Sequence, residues 1–268
     1  MNSPVNSLRL IFGTLTILPV RMPTTVDSAV AGRALTLAPL AGFVLALIVG
    51  VPVALLDQDT PPLLLAGLVV AALAYLTRAI HLDGLADTAD GLGSGRIGEP
   101  ALEVMKKSDI GPFGVVTLML ALLLQVAALS TCLAVGDGVP ALVLALVLSR
   151  AMLVRLGTSA FPAARSDGLG SAMAGSVTTG LLAAGLALAV VLAAGGVAVH
   201  LALGGSDLRW QTYVAALVGL LPALVLAETA RNRFGGVTGD VYGACVETAF
   251  TGVLVAAALV TGLVSGLG

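Results

Sequence analysis

Charged side chains are scarce in this chain: Asp, Glu, Lys and Arg make up 10% of its 268 residues, against roughly 25% in a soluble domain. Such a composition excludes an ordinary water-soluble fold. Basic clusters are missing too, the longest being the pair Lys106-Lys107, and this excludes a nucleic-acid-binding face. There are only two histidines and two cysteines. Cys132 and Cys245 are too few for a disulfide framework, lack metal-ligand spacing, and read as small buried hydrophobes. A zinc site built on His and Cys is excluded in the same way.

Apolar residues dominate instead, at 58% with a mean hydropathy of +1.06. The expected fold is all-α: a polytopic integral membrane protein forming one domain over residues 1–268. Seven stretches reach the roughly 20 apolar residues that a bilayer crossing needs: 35–56, 62–80, 112–135, 139–156, 179–203, 213–227 and 249–267. Residues 8–20 are apolar but too short to cross. Pro19, Arg21 and Pro23 follow them in place of a small-residue cleavage site, so they read as a short interfacial or re-entrant helix rather than a signal peptide. Every basic residue except Arg209 falls on one set of connections; Asp57, Asp59, Asp137 and Asp207 fall on the other. The positive-inside rule makes the basic side cytoplasmic. That side carries three long polar stretches, 78–111, 150–178 and 228–247, which points to a shared site there.

The first stretch opens with His81-Leu-Asp-Gly-Leu-Ala-Asp-Thr-Ala-Asp-Gly-Leu-Gly-Ser-Gly95. On a helix, Asp83, Asp87 and Asp90 share one face, because positions i, i+4 and i+7 align. Three like charges on one stripe repel, and a divalent cation bridging them to a phosphate would remove the repulsion. Gly84 and Gly91 leave room for close approach. Further along, Arg96, Lys106 and Lys107 are candidates for phosphate contact, and Asp109 for the metal or a ribose hydroxyl; an ordinary amphipathic helix is the plainer reading of 99–107. The second stretch contains Arg165 and Asp167 beside Gly168 and Gly170, a loop able to hold a phosphate through a guanidinium and backbone amides. The third has Arg231 and Arg233, then Asp240, Gly243 and Glu247 on one helical face. Charges at the mouth of a span are functional by default. Oxygen ligands without a His or Cys cluster favour Mg²⁺, Mn²⁺ or Ca²⁺ over zinc. His81 is placed to orient a reacting group or act as a base.

At these residues the chain resembles the cobalamin synthase family, the adenosylcobinamide-GDP ribazoletransferases. The likeness rests on His81 to Asp87 with Asp90-Gly91, on Leu15-Thr16 with Leu18-Pro19, on Met105 to Gly114, on Pro162 to Gly170, and on Gly235 to Asp240 with Gly243-Ala244 and Glu247. These blocks cover nearly the whole chain. One departure is visible: Thr248 follows Glu247, where many relatives carry a further acidic residue.

The resemblance implies that a ribose hydroxyl of α-ribazole, or of its 5′-phosphate, attacks the phosphate nearest cobinamide in adenosylcobinamide-GDP. GMP leaves, and adenosylcobalamin or its phosphate forms. It also implies Mg²⁺ as cofactor, the plasma membrane of a prokaryote as location, and an active site facing the cytoplasm; a homo-oligomer is compatible with this. In that reaction Asp83, Asp87, Asp90, Asp240 and Glu247 would hold metal, Asp83 would accept the hydroxyl proton with His81 beside it, and Arg96, Lys106, Lys107, Arg165, Asp167, Arg231 and Arg233 would hold substrate. Two alternatives stand against it. A CDP-alcohol phosphotransferase also carries aspartates at helical spacing, but its Asp-Gly-x-x-Ala-Arg pattern is broken here by Asp87 in place of Arg. A cation transporter would place its acids near the bilayer midplane rather than beside lysines and arginines.

Overall fold

A computed structural model describes residues 4–56, 60–202 and 210–265, with side chains described up to 262. The outer-side Asp57, Asp59, Asp207 and Arg209, and the expected span ends at 203 and 267, lie outside the described residues. Among the described residues the regular structure is entirely helical, apart from one isolated parallel bridge between Ala163 and Val237. In chain order the helices are α1 (Pro4–Leu15), α2 (Ser28–Thr36), α3 (Ala38–Leu56), α4 (Pro62–Leu76), α5 (Ile80–Gly93), α6 (Glu99–Met105), α7 (Pro112–Leu133), α8 (Gly138–Leu156), α9 (Gly168–Met173), α10 (Thr179–Ala202), α11 (Trp210–Val218), α12 (Leu221–Phe234) and α13 (Gly239–Ser265).

Among the described residues, six segments are long and apolar enough to cross a membrane: α3, α7, α8, α10, the α11–α12 pair and α13. The pair α4 and α5 makes a seventh if counted as one broken span. The central helix is α8, 83% buried, whereas α10 is 22% buried and α7 28%. These peripheral helices turn residues such as Leu123, Leu124, Val190 and Val191 outward. Exposed leucine and valine on this scale suit a lipid surface, where every backbone group is already bonded within its helix.

Between the helices, small residues allow close packing, as expected where lipid gives little hydrophobic drive for association. A Cβ on Gly42 of α3 would run into the Leu146 carbonyl of α8, and one on Gly252 of α13 into the Gly219 carbonyl between α11 and α12. The main core fills the space between α3, α4, α7, α8 and α13. A second core lies at the other end, where α1, α2, α6 and the start of α13 meet.

Three expected spans differ from the structure, and the one expected over 213–227 runs from Trp210 to Phe234 as α11 and α12. The segment expected over 62–80 stops at Leu76, and α5 leaves it at 88°. Thr77 Oγ bonds back to the Leu73 carbonyl, and Arg78 and Ala79 both adopt left-handed backbone with φ of 54°. The Arg78 guanidinium fixes the corner by donating to the carbonyls of Gly13 and Thr14 at 2.8 and 3.2 Å. The last span begins at Gly239 rather than at 249. Hydropathy placed its start after the acids, but Asp240 and Glu247 belong to the helix itself and have polar partners there. The N-terminal helix is as short as expected, and Leu10, Ile11 and Leu15 bury it against the second core.

The Gly219–Gly252 approach gives a direct test of this packing. Gly252→Leu should lower the melting temperature in detergent, because overpacking a filled interface costs about 1–3 kcal/mol. Gly67→Ala, at a site with open space around it, should leave melting unchanged. Equal melting of wild type and Gly252→Leu would contradict the interface.

Candidate active site

The three polar stretches meet at one end of the bundle. Arg165 Nη2 in the second donates to the Leu102 carbonyl in the first at 2.7 Å. Gly98 N donates to the Arg233 carbonyl at 2.8 Å, and Val237 N to the Pro162 carbonyl at 2.8 Å. Within this frame α5 crosses the start of α13 almost backbone to backbone. A Cβ on Gly84 would lie 2.6 Å from the Asp240 carbonyl oxygen, and one on Gly243 would lie 3.2 Å from the His81 Cα. Only glycine permits that approach without displacing a helix.

The crossing brings Asp83 and Asp240 to the wall of one cavity of about 190 Å³, with His81, Gly170 and Tyr242 also in the wall. Helix α5 forms as the aspartate spacing predicts, and burial increases along its acidic face: Asp83 is exposed, Asp87 half-buried and Asp90 buried. Asp87 lies within electrostatic reach of Asp83, Asp240 and Asp90, with Arg165 as the opposing charge. Arg165 Nη1 is 4.0 Å from Asp240 Oδ2. Thr238 Oγ donates to the same oxygen at 3.2 Å and accepts from Val241 N at 3.3 Å, capping α13. Four carboxylates and one guanidinium leave local negative charge in excess, an arrangement that a divalent cation would neutralise.

Among the described residues, no three His, Cys, Asp or Glu side chains are gathered closely enough to hold a metal unaided. Mg²⁺ does not need such a cage, since it commonly takes one or two carboxylates and completes its shell with waters and substrate phosphates. Asp83 and Asp240, with Asp87 beside them, fit that donor set.

Other expected site residues stand elsewhere. Both Asp90 oxygens accept backbone N–H groups at the start of α7, Gly111 N at 2.7 Å and Gly114 N at 2.9 Å. Negative charge suits that helix N-terminus. Glu247 faces away from the Asp83–Asp240 cavity into a second, small cavity beside Arg150. There it accepts from Gln125 Nε2 at 2.7 Å. Arg231 pairs with Glu228 within α12 at 2.8 Å and donates to the Ala160 carbonyl at 3.4 Å, and Arg233 donates to the Arg96 carbonyl at 3.0 Å; the two carbonyl contacts tie the end of α12 to neighbouring loops. Lys106 is 3.8 Å from Glu99 on its own helix. Arg96, Lys107, Asp109 and Asp167 are exposed and line no part of the Asp83–Asp240 cavity.

Sequence reasoning missed two groups. Arg150 reads as a loop charge at a span end, yet it is buried in α8 as an electrostatic neighbour of Glu247 and His81. The N-terminal helix reads as a membrane-surface element, yet Ile11, Thr14 and Leu15 line the cavity. An arginine set within the long apolar run of α8 was the available signal for the first. Nothing in the local pattern of α1 announces the second.

The family described as cobalamin-5-phosphate synthase matches residues 7–258. An adenosylcobinamide-GDP ribazoletransferase of Frankia casuarinae is 38% identical over 94% of this chain and 94% of its own length. A protein of the same name from Nocardioides sp. is 42% identical over 92% of this chain and 96% of its own. Another, from Bradyrhizobium diazoefficiens, is 37% identical over 95% of this chain and 94% of its own. No solved structure matches.

Asp90 should behave as an anchor for α7. Asp90→Ala should destabilise the protein by about 1.5–3 kcal/mol, the usual range for hydrogen bonds to a charged group. Asp90→Asn, which keeps one acceptor, should cost less. Thermal melts in detergent measure both, and an unaltered Asp90→Ala melt would show that the two bonds do not hold the helix.

Proposed function

We propose a function from one premise: this chain belongs to the cobalamin-5-phosphate synthase family. It is an integral membrane enzyme that joins adenosylcobinamide-GDP to ribazole and releases GMP, the last joining step of the cobalamin nucleotide loop. The observation that carries the reading is the meeting of Asp83 and Asp240 in one cavity wall with Arg165 beside them. Relatives over nearly the full chain favour it over the CDP-alcohol phosphotransferase and cation-transporter readings.

In the reaction, a ribose hydroxyl oxygen of ribazole bonds to the phosphorus nearest cobinamide as the bond from that phosphorus to the GMP oxygen breaks. Phosphoryl transfer of this kind needs positioning and charge neutralisation more than covalent catalysis. Asp83, the most exposed of the α5 acids, accepts the hydroxyl proton. His81, at the same cavity wall, orients the hydroxyl. Asp83, Asp87 and Asp240 would hold Mg²⁺, which when bound stabilises charge on the phosphate oxygens. Arg165 contacts the diphosphate from the edge of the carboxylate group, while Lys106, Lys107, Arg96 and Asp167 border its exposed approach. Asp90, Glu247, Arg231 and Arg233 support the frame. Either ribazole or its 5′-phosphate is a chemically competent acceptor. The one-sided basic connections favour the cytoplasmic side of a prokaryotic plasma membrane for this end of the bundle.

Purified protein with Mg²⁺, adenosylcobinamide-GDP and each ribazole form should release GMP and yield a product of the joined mass. Release of CMP from a CDP-alcohol, with no reaction of the corrinoid, would overturn the assignment. The metal is tested separately. Mg²⁺ at a hundredfold above its dissociation constant should stabilise the wild type by about 2.7 kcal/mol. Asp83→Asn, Asp87→Asn and Asp240→Asn should each reduce that increment and the rate of GMP release. Full activity and an unchanged increment in all three would remove Mg²⁺ from this site. For orientation, single cysteines at Ser166 and Asn232, both exposed, should resist an impermeant thiol reagent in intact cells and react after lysis. Labelling in intact cells would reverse the topology.

A further inference from the structure

The cavity beneath Asp83 and Asp240 is mostly apolar. Ile11 and Leu15 of α1, Leu35 of α2, Leu153 of α8 and Met173 of α9 contribute apolar wall, and among the described residues no lysine or arginine lines it. A diphosphate placed inside would meet two carboxylates and no cation. The charge of the wall therefore disfavours an anionic occupant, while its apolar part suits an uncharged ring.

Size narrows the choice. An apolar cavity of about 150 Å³ holds a benzene, so about 190 Å³ suits a fused two-ring aromatic base and is far too small for a corrin macrocycle. Polar atoms narrow it further. Both ring nitrogens of His81, only 3% exposed, and the buried hydroxyl of Thr14 have no hydrogen-bond partner among the described residues. Both residues line this cavity. Buried polar groups left unpaired are costly, and a ligand carrying ring nitrogen and hydroxyl groups would satisfy them.

We propose that this cavity is the acceptor subsite: it takes the benzimidazole ring of ribazole against the α1–α2–α9 wall, with Thr14 contacting its free ring nitrogen, His81 a ribose hydroxyl, and the ribose directed at Asp83. The diphosphate donor stays outside, on the Asp87–Arg165 side. This rests on the ribazoletransferase reading above and adds which substrate the cavity selects. The N-terminal helix thereby becomes a specificity element, since two of its side chains set the depth of the subsite. A 5′-phosphate on the acceptor would lie at the open edge near Arg165, outside the apolar wall.

Steady-state kinetics of the purified full chain separate the two substrates. Ile11→Phe, which fills the cavity, should raise KM for α-ribazole by about tenfold or more, the scale of discrimination that a few carbon atoms give in an apolar pocket. KM for adenosylcobinamide-GDP should stay close to the wild-type value. Met173→Ala, which enlarges the cavity, should favour a riboside of a bulkier three-ring base over α-ribazole itself. Thr14→Val, close to wild type in shape, should raise KM for α-ribazole alone, and it carries the test if Ile11→Phe does not fold. A rise in donor KM with acceptor KM unchanged, or no change in acceptor KM or base preference in any folded variant, would overturn the subsite. Absence of GMP release by the wild type with any riboside would instead overturn the reaction on which it rests.

Discussion

The close approach of α5 to α13 at Gly84 and Asp240 is the constraint on which the rest of the site depends. It sets side by side two carboxylates from opposite ends of the sequence, together with a third on the same helix face. Bringing like charges together is unfavourable, more so at the margin of an apolar bundle where water screens them poorly. Arg165 and the Thr238 hydroxyl relieve part of that repulsion, and the remainder is what a bound divalent cation would offset. A larger side chain at Gly84 would separate the helices before any chemistry was lost, so the glycine and the acids act as one device.

What holds α13 against that repulsion lies one layer deeper. Gln125 of α7 donates to Glu247 and to Thr251 of α13, at 2.7 and 2.9 Å, and the buried Arg150 of α8 faces the same glutamate. Buried charges are tolerated when they are paired and hydrogen-bonded, and removing one partner leaves the other exposed to the full desolvation penalty. This polar layer joins α7, α8 and α13 near the α5 crossing, with His81 in the cavity wall within electrostatic reach of Arg150. Glu247 therefore supports the acidic site from behind, by fixing the helix that carries Asp240.

Much of this could be read from the sequence because it is periodic. The spacing of Asp83, Asp87 and Asp90 is a property of one helix, and so are the long apolar runs; helical pattern reports both faithfully. The gathering of three polar stretches was legible from the one-sided distribution of arginine and lysine. The break at Thr77–Ala79 was not legible, because residues 62–80 are apolar enough to cross and the corner is imposed by Arg78 reaching to α1. The start of α13 was misplaced because hydropathy treats Asp240 and Glu247 as loop residues, whereas their partners come from Thr238 and from Gln125, distant in sequence. Arg231 and Arg233 look like substrate ligands by composition, but carbonyls and an acid close by in the fold engage them. The contribution of α1 to the cavity is a purely tertiary fact.

The central claim is that α5 and α13 together hold one metal and phosphate centre. The most direct measurement is an experimental structure of the protein with Mn²⁺ and adenosylcobinamide-GDP, with the metal located by its anomalous signal. The account predicts Mn²⁺ bridging the diphosphate to carboxylates of both helices, Asp83 or Asp87 from one and Asp240 from the other. Mn²⁺ bound to one helix alone, or at the Glu247 cavity instead, would contradict it.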